Sequence, residues 1–165
     1  TGEDCVVPLD VVSQGALVVH QHTAIAHDRA RSEAAKEFAS RVRMTLRNWQ
    51  GTLLYPGLLN PLRNPKYAFA LWSHKLLRWL SPLALAGVVV CGAGLALSAS
   101  DGLGMTASVI DLFLVGAGAL GCWAEKTGRK VPVAGTVFAF WLANAGFLVG
   151  TIRAIAGGRI VAYSE

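Results

Sequence analysis

Residues 79–100 contain no Asp, Glu, Lys or Arg. At 1.5 Å per residue a helix of that run is about 33 Å long, enough to cross a hydrocarbon core about 30 Å thick. Two more apolar stretches follow, 102–124, interrupted only by Asp111, and 131–152. Lipid offers a backbone no hydrogen bonds, so such stretches fold as helices that satisfy their own N–H and C=O groups. A mainly α-helical membrane protein is expected, with about three spans, near 81–100, 104–124 and 131–152. The chain up to Arg78 is polar and charge-rich by comparison.

The formal net charge of +5 would also suit a nucleic-acid binder, but the basic residues gather beside the apolar stretches and not on a separate basic domain. That placement fits a membrane surface and argues against nucleic acid as a partner. Cys5, Cys91 and Cys122 lie far apart and form no C-x-x-C pair, so they support neither a zinc site nor a disulfide framework. Arg63, Lys66, Lys75 and Arg78 precede the first span, the first loop carries Asp101, and the next carries Lys126, Arg129 and Lys130 against Glu125. This asymmetry puts residues 1–80 on the cytoplasmic side of a multi-pass protein. Three crossings would leave the tail outside. Arg153 and Arg159 oppose that, and a re-entrant last element is the alternative. The chain starts at Thr1, without Met and without a basic segment ahead of an early apolar run. Its first span is therefore not a signal peptide, and a C-terminal piece of a longer protein is expected.

Ahead of the spans, Val6, Val7, Leu9, Val11 and Val12 are too dense for a solvated helix, and Gly15 stands where a helix would stop. A short buried helix is expected over 5–14. Residues 16–26 are rich in Val, His, Thr and Ile, which favours a strand. A lone strand satisfies none of its ladder bonds, so it needs partners that this chain does not supply. From 32 to 55 the apolar period becomes helical, with Ala35, Phe38, Val42, Leu46, Trp49 and Leu53 on one stripe and Lys36, Ser40, Arg43 and Arg47 on another. Glu37 stands four residues before Arg41, an orientation worth about 0.2–0.5 kcal/mol. Arg43 and Arg47 have no acidic residue at i±3 or i±4, so the sequence offers both to a ligand. A helix lying on lipid with arginines at the headgroups fits the same periodicity. Pro56, Pro61 and Pro65 end that helix. Residues 66–80 are again amphipathic, with Phe69, Trp72, Leu76 and Trp79 opposed by His74, Lys75 and Arg78, and Ser81-Pro82 offers a bend into the first span.

Gly2-Glu3-Asp4, Ser13-Gln14-Gly15, Leu17-Val18-Val19, Glu37-Phe38, Arg41-Val42-Arg43, Leu58-Leu59-Asn60-Pro61, Trp72-Ser73-His74-Lys75 and Arg78-Trp79-Leu80 together carry a family likeness. In these the chain resembles membrane-embedded bacterial family 2 glycosyltransferases, relatives of cellulose, chitin and hyaluronan synthases. The resemblance runs over nearly the whole chain, to Gly157-Gly158-Arg159, but corresponds only to the last part of such an enzyme. It implies that residues 1–31 are the C-terminal edge of a cytoplasmic catalytic domain of GT-A type, a small helix-strand remnant. Residues 32–80 would be two amphipathic interfacial helices, and 81–165 the transmembrane region with a short tail.

The resemblance further implies an inverting hexosyl transfer from a nucleotide sugar to a polysaccharide or lipid-linked acceptor at the bacterial inner membrane. The family's acidic T-E-D-like motif places Asp4 beside the acceptor as general base, with Glu3 shaping the acceptor pocket. A positioned carboxylate suits an acceptor hydroxyl that must lose a proton as it attacks. Capping of a helix N-terminus is the other role these two residues fit. The family's Q-x-x-R-W motif falls on Ser40-Arg41-Val42-Arg43-Met44. Arg43 would meet the nucleotide diphosphate, with Arg41 and Arg47 nearby, because a guanidinium fork matches that group. Ser40 and Met44 depart from the motif, so its acceptor-stacking tryptophan has no counterpart here. The Mg or Mn ion of such enzymes would be held by the nucleotide-binding domain, which these residues do not include, and the piece alone would be inactive. His20, His22 and His27 lack a carboxylate or Cys at ligand spacing and are not expected to bind metal. Asp111 in a span would face other helices or a polar channel, or snorkel toward water. A non-catalytic membrane anchor that recruits a soluble partner is the competing reading.

Overall fold

The computed structural model describes residues 3–27, 33–98, 102–129 and 131–158, with backbone only for Glu3 and Asp4. Among these the secondary structure is helical: α1 (Glu3–Ser13), α2 (Ala34–Leu53), a 3₁₀ turn (Pro56–Leu59), α3 (Pro65–Leu71), a π turn (Trp72–Leu76), α4 (Leu77–Ser98), α5 (Gly102–Thr127) and α6 (Pro132–Ile155). The chain forms two compact units, Thr1–Leu80 with Gly146–Glu165, and Ser81–Ala145.

The first unit begins with the expected short helix. α1 ends at Gly15, whose φ of +83° only glycine adopts readily. There Ala16 N–H donates to Val11 O at 3.2 Å and Gly15 N–H to Val12 O at 3.0 Å, so two end carbonyls are satisfied. Cys5 and Leu9 of α1 enter a core with Leu58 and Leu71, and Val12, Tyr55 and Leu59 pack around it. α2 buries Val42 and Leu46 as the period predicts, but also Ser40, Thr45, Gly51 and Thr52, whereas Leu53 is exposed. The reason is close helix approach. A Cβ on Gly51 would lie 2.9 Å from Val6 Cγ2, and one on Gly146 or on Gly150 would lie 2.6 Å from Arg41 Cβ or Thr45 Cβ respectively. Small and hydroxyl-bearing side chains are what such a spacing admits.

The strand expected over 16–26 is not formed. These residues are coil, exposed throughout, with a turn in which Ala24 N–H donates to Gln21 O at 3.1 Å. The described residues contain no strand, so no edge exists on which Leu17, Val18 and Val19 could pair, and β propensity alone cannot satisfy a backbone. The helix-strand remnant is therefore a helix followed by coil. The second difference lies at Pro82, which sits inside α4 and does not end a helix. One lost backbone bond is tolerated in a helix whose other bonds are intact. The irregularity falls instead at the π turn, where Leu77 N–H donates to Trp72 O.

In the second unit α5 meets α6 through glycines. Gly121 faces the Ala134 carbonyl and Phe138 Cβ, and Gly118 leaves room for Trp141, whose Nε1 donates to Leu114 O at 3.0 Å. Gly118 and Gly121 thus serve close helix packing. Ser81 Oγ donates to Asn144 Oδ1 at 2.8 Å, and Asn144 Nδ2 donates to Phe140 O at 2.9 Å. The Asp111 carboxylate lies against Gly92, with Oδ2 shielded from solvent. Three helices, Pro65–Ser98, Gly102–Thr127 and Pro132–Ile155, are long and apolar enough to cross a bilayer. They mark a membrane protein, and they leave large side chains such as Leu97, Leu112 and Val133 exposed, as lipid contact requires.

Candidate functional site

Within the first unit a cavity of about 350 Å³ is lined by Arg41, Met44, Thr45 and Asn48 of α2, His74 and Lys75 of the π turn, Arg78 and Trp79 of α4, and Phe147 of α6. The π turn adds a residue to the helix and advances the side chains that follow it around the axis. His74, Lys75 and Arg78 thereby come to one opening.

Each cation is held differently. Arg41 Nε donates to Glu37 Oε1 at 2.6 Å, as the sequence spacing anticipates. Lys75 Nζ donates to the Cys5 thiol at 3.0 Å, and Cys5 Sγ also lies 3.8 Å from Thr52 Oγ1. Arg78 spreads its guanidinium over the Phe147 ring at 5.4 Å. Trp79 of the lining packs on Trp49 outside it, their ring centroids 4.8 Å apart and tilted by 44°, with Trp49 Nε1 donating to Thr151 Oγ1 at 3.0 Å. Among the described residues no carboxylate lines the cavity. Such a lining attracts anions. It does not fit a divalent cation, whose donors are carboxylate and carbonyl oxygens, so the Mg or Mn that the resemblance implies is not assigned to these residues.

Of the site residues read from sequence, Glu3 and Asp4 occupy the first turn of α1, and their side chains lie outside the described residues. Arg41 lines the cavity. Arg43 and Arg47 are half-buried on other faces of α2, and the Arg47 Nε is shielded from solvent. The structure thus gathers Arg41 with His74, Lys75 and Arg78, and does not bring Arg43 to the same opening. The 74–78 cluster was visible as the polar face of an amphipathic segment. Its convergence on α2 depends on the π turn, which periodicity does not announce. His20 and His22 stand with ring centroids 6.4 Å apart on the exposed coil, and no group of three or more His, Cys, Asp or Glu suited to a metal occurs among the described residues.

Elsewhere in the first unit, Tyr55 OH donates to Asp10 Oδ1 at 3.1 Å and ties the end of α1 to the residues just after α2. Partial burial first, and then this bond to a carboxylate, raise the phenol above its ordinary value. Comparison with protein-family models, curated proteins and solved structures gives no match.

Proposed function

We propose that this chain is the acceptor-side and membrane part of an inverting glycosyltransferase. It would pass a sugar from a nucleotide-sugar donor to a polysaccharide or glycolipid acceptor at the bacterial cytoplasmic membrane, with residues 1–80 on the cytoplasmic side. The observation that supports this reading most is the packing of α1 on α2. Cys5 lies against Thr52, and Val6 against Gly51. α1, whose first turn carries Glu3 and Asp4, thus packs on the same helix whose earlier turns carry Arg41-Val42-Arg43, and the reading needs both motifs in one body. A basic cavity at the start of an apolar helix is in keeping with an anionic leaving group handled at a membrane.

In this reading Asp4 takes the proton of the acceptor hydroxyl while its oxygen bonds to the anomeric carbon from the face opposite the leaving group. The bond to the nucleotide diphosphate breaks, and Arg43, with Arg41 and Arg47 adding positive charge, steadies the dianion that departs. The donor nucleotide is held by a separate nucleotide-binding domain. In the full-length enzyme, Asp4→Asn keeps the shape but removes the base, so turnover falls about 10²- to 10⁴-fold with donor affinity kept. Arg43→Lys keeps the charge but loses the fork, so inhibition by the product nucleotide diphosphate weakens together with rate. Near-normal turnover in a correctly inserted Asp4→Asn protein would leave Asp4 as a helix-capping residue and favour the membrane-anchor reading.

A further inference from the structure

Cys5 and Lys75 meet in the first unit, and the transferase reading uses neither of them. Lys75 Nζ lies 3.0 Å from Cys5 Sγ, although the two residues are 70 apart in sequence. The other polar atoms around the sulfur are Thr52 Oγ1 at 3.8 Å and the Asn48 carbonyl oxygen at 3.9 Å. The lysine nitrogen is therefore the nearest nucleophile, at a separation from which reacting atoms go on to bond. Both groups are held in place. Cys5 sits in the first turn of α1 against Leu9, Leu58 and Leu71, and Lys75 is fixed by the π turn. Cys91 and Cys122 belong to the second unit, so the first unit contains no second thiol with which Cys5 could form a disulfide.

These surroundings decide what an oxidant does to the sulfur. A thiol oxidised once to sulfenic acid either condenses with a nucleophile beside it or is oxidised again. Cys5 is 2% exposed, so a second oxidant molecule arrives slowly, whereas Lys75 is already in contact. Hydrogen peroxide, little larger than water, reaches the sulfur past Asn48 and Lys75, which both line the open cavity. We propose that a peroxide joins Cys5 to Lys75 as a sulfenamide, through a bond between Cys5 Sγ and Lys75 Nζ. The thiol attacks the peroxide, the O–O bond breaks, and the sulfur gains a hydroxyl while the peroxide is reduced to water. Lys75, having released one proton, gives its nitrogen lone pair to the sulfur. The S–O bond breaks, and the hydroxide leaves as water with a second proton from the nitrogen. One thiol, one ammonium and one peroxide thus become one S–N link, two waters and one proton. The link ties the first turn of α1 to the π turn and removes a positive charge from the cavity wall. Two molecules of a thiol reductant reverse it, returning thiol and amine and leaving as a disulfide.

Peptide mapping of the intact chain by mass spectrometry tests this, after treatment in vesicles with hydrogen peroxide and without reductant. The peptides carrying Cys5 and Lys75 should appear joined, lighter than their sum by two hydrogen atoms, and should separate again on treatment with dithiothreitol. Oxidation of exposed Cys91 in the same sample shows that the peroxide was active. Acylation of Lys75 should be lost on oxidation and restored by dithiothreitol, while exposed Lys66 and Lys126 react throughout. Cys5 found as sulfinic acid with the Lys75 amine intact overturns the proposal. So does Cys5 left unreacted while Cys91 is oxidised, or Cys5 joined to another cysteine. A joined pair that retains an oxygen atom also overturns it, because the bridge is then not a sulfenamide. As a second measurement, Lys75→Arg keeps the charge but lacks the amine. Peroxide should then carry Cys5 on to sulfinic acid with no joined peptide. A Cys5 cross-link that persists in Lys75→Arg would assign the bond to another nitrogen and remove Lys75 from the site.

Discussion

Gly150 carries a hydrogen where any other residue would carry a carbon 2.6 Å from Thr45 Cβ and 2.9 Å from the Val42 carbonyl oxygen. The second of those atoms is backbone and cannot rotate away. Gly150→Val should therefore force α6 off α2 and cost about 1–3 kcal/mol, read as lost thermal stability in detergent, while the same change at Gly135, with nothing within 4 Å, should be far milder. Tyr55 gives a prediction with a pH sign. Its folded value is raised, so the folded state prefers the neutral phenol. That contribution is fully present below the unfolded value of about 10 and is lost as pH rises through the raised folded value. Unfolding measured from about pH 8 upward should show the unmodified protein losing its advantage over Tyr55→Phe in the alkaline range. A constant difference across that range would disprove the link. The sequence announced Glu37 with Arg41, because the pair follows helical spacing. It did not announce Gly146 and Gly150, since a glycine's role depends on the residue opposite.

At the level of elements, legibility followed locality. α1 could be read from its dense valines and the Gly15 stop, and the proline-bounded turn after α2 from backbone chemistry alone. The segment 16–26 was misjudged because strand formation is a property of pairs, and its partner edge is absent from the described residues. The buried face of α2 was half legible. Val42 and Leu46 lie on the expected stripe, but Thr45 is buried against distant Gly150 and Thr52 against Cys5. The same contrast predicts dynamics. Amide exchange should be fast over 16–27, whose backbone makes few hydrogen bonds, and slow over 42–52, which is buried and helical. Comparable protection of the two segments in the membrane-inserted protein would mean that 16–27 finds its pairing partner after all.

At the level of the whole molecule, membrane character was plain from charge-free runs, while the side of the tail was not, and two physical arguments now compete over it. Three full crossings starting from a cytoplasmic first half would send the tail to the far side. Packing argues the other way. Trp49 Nε1 bonds Thr151 Oγ1 at 3.0 Å, Gln50 Nε2 bonds Gly158 O at 2.8 Å, and 146–158 falls in the same compact unit as residues 1–80. The tail also carries Arg153 and Arg159, which favour the cytoplasmic side. Specific hydrogen bonds between α2 and the end of α6 cannot form across a hydrocarbon core about 30 Å thick. The expectation is therefore that the end of α6 shares a side with α2, and that one of the apolar helices does not make a complete crossing. Single cysteines placed at exposed Arg63 and Ala156, in a background with Cys5, Cys91 and Cys122 changed to serine, settle it with a membrane-impermeant maleimide. Both should react from the same side of sealed vesicles. Reaction of Ala156→Cys from the opposite side to Arg63→Cys would rule out the Gln50 to Gly158 and Trp49 to Thr151 bonds in the inserted protein and restore three full crossings.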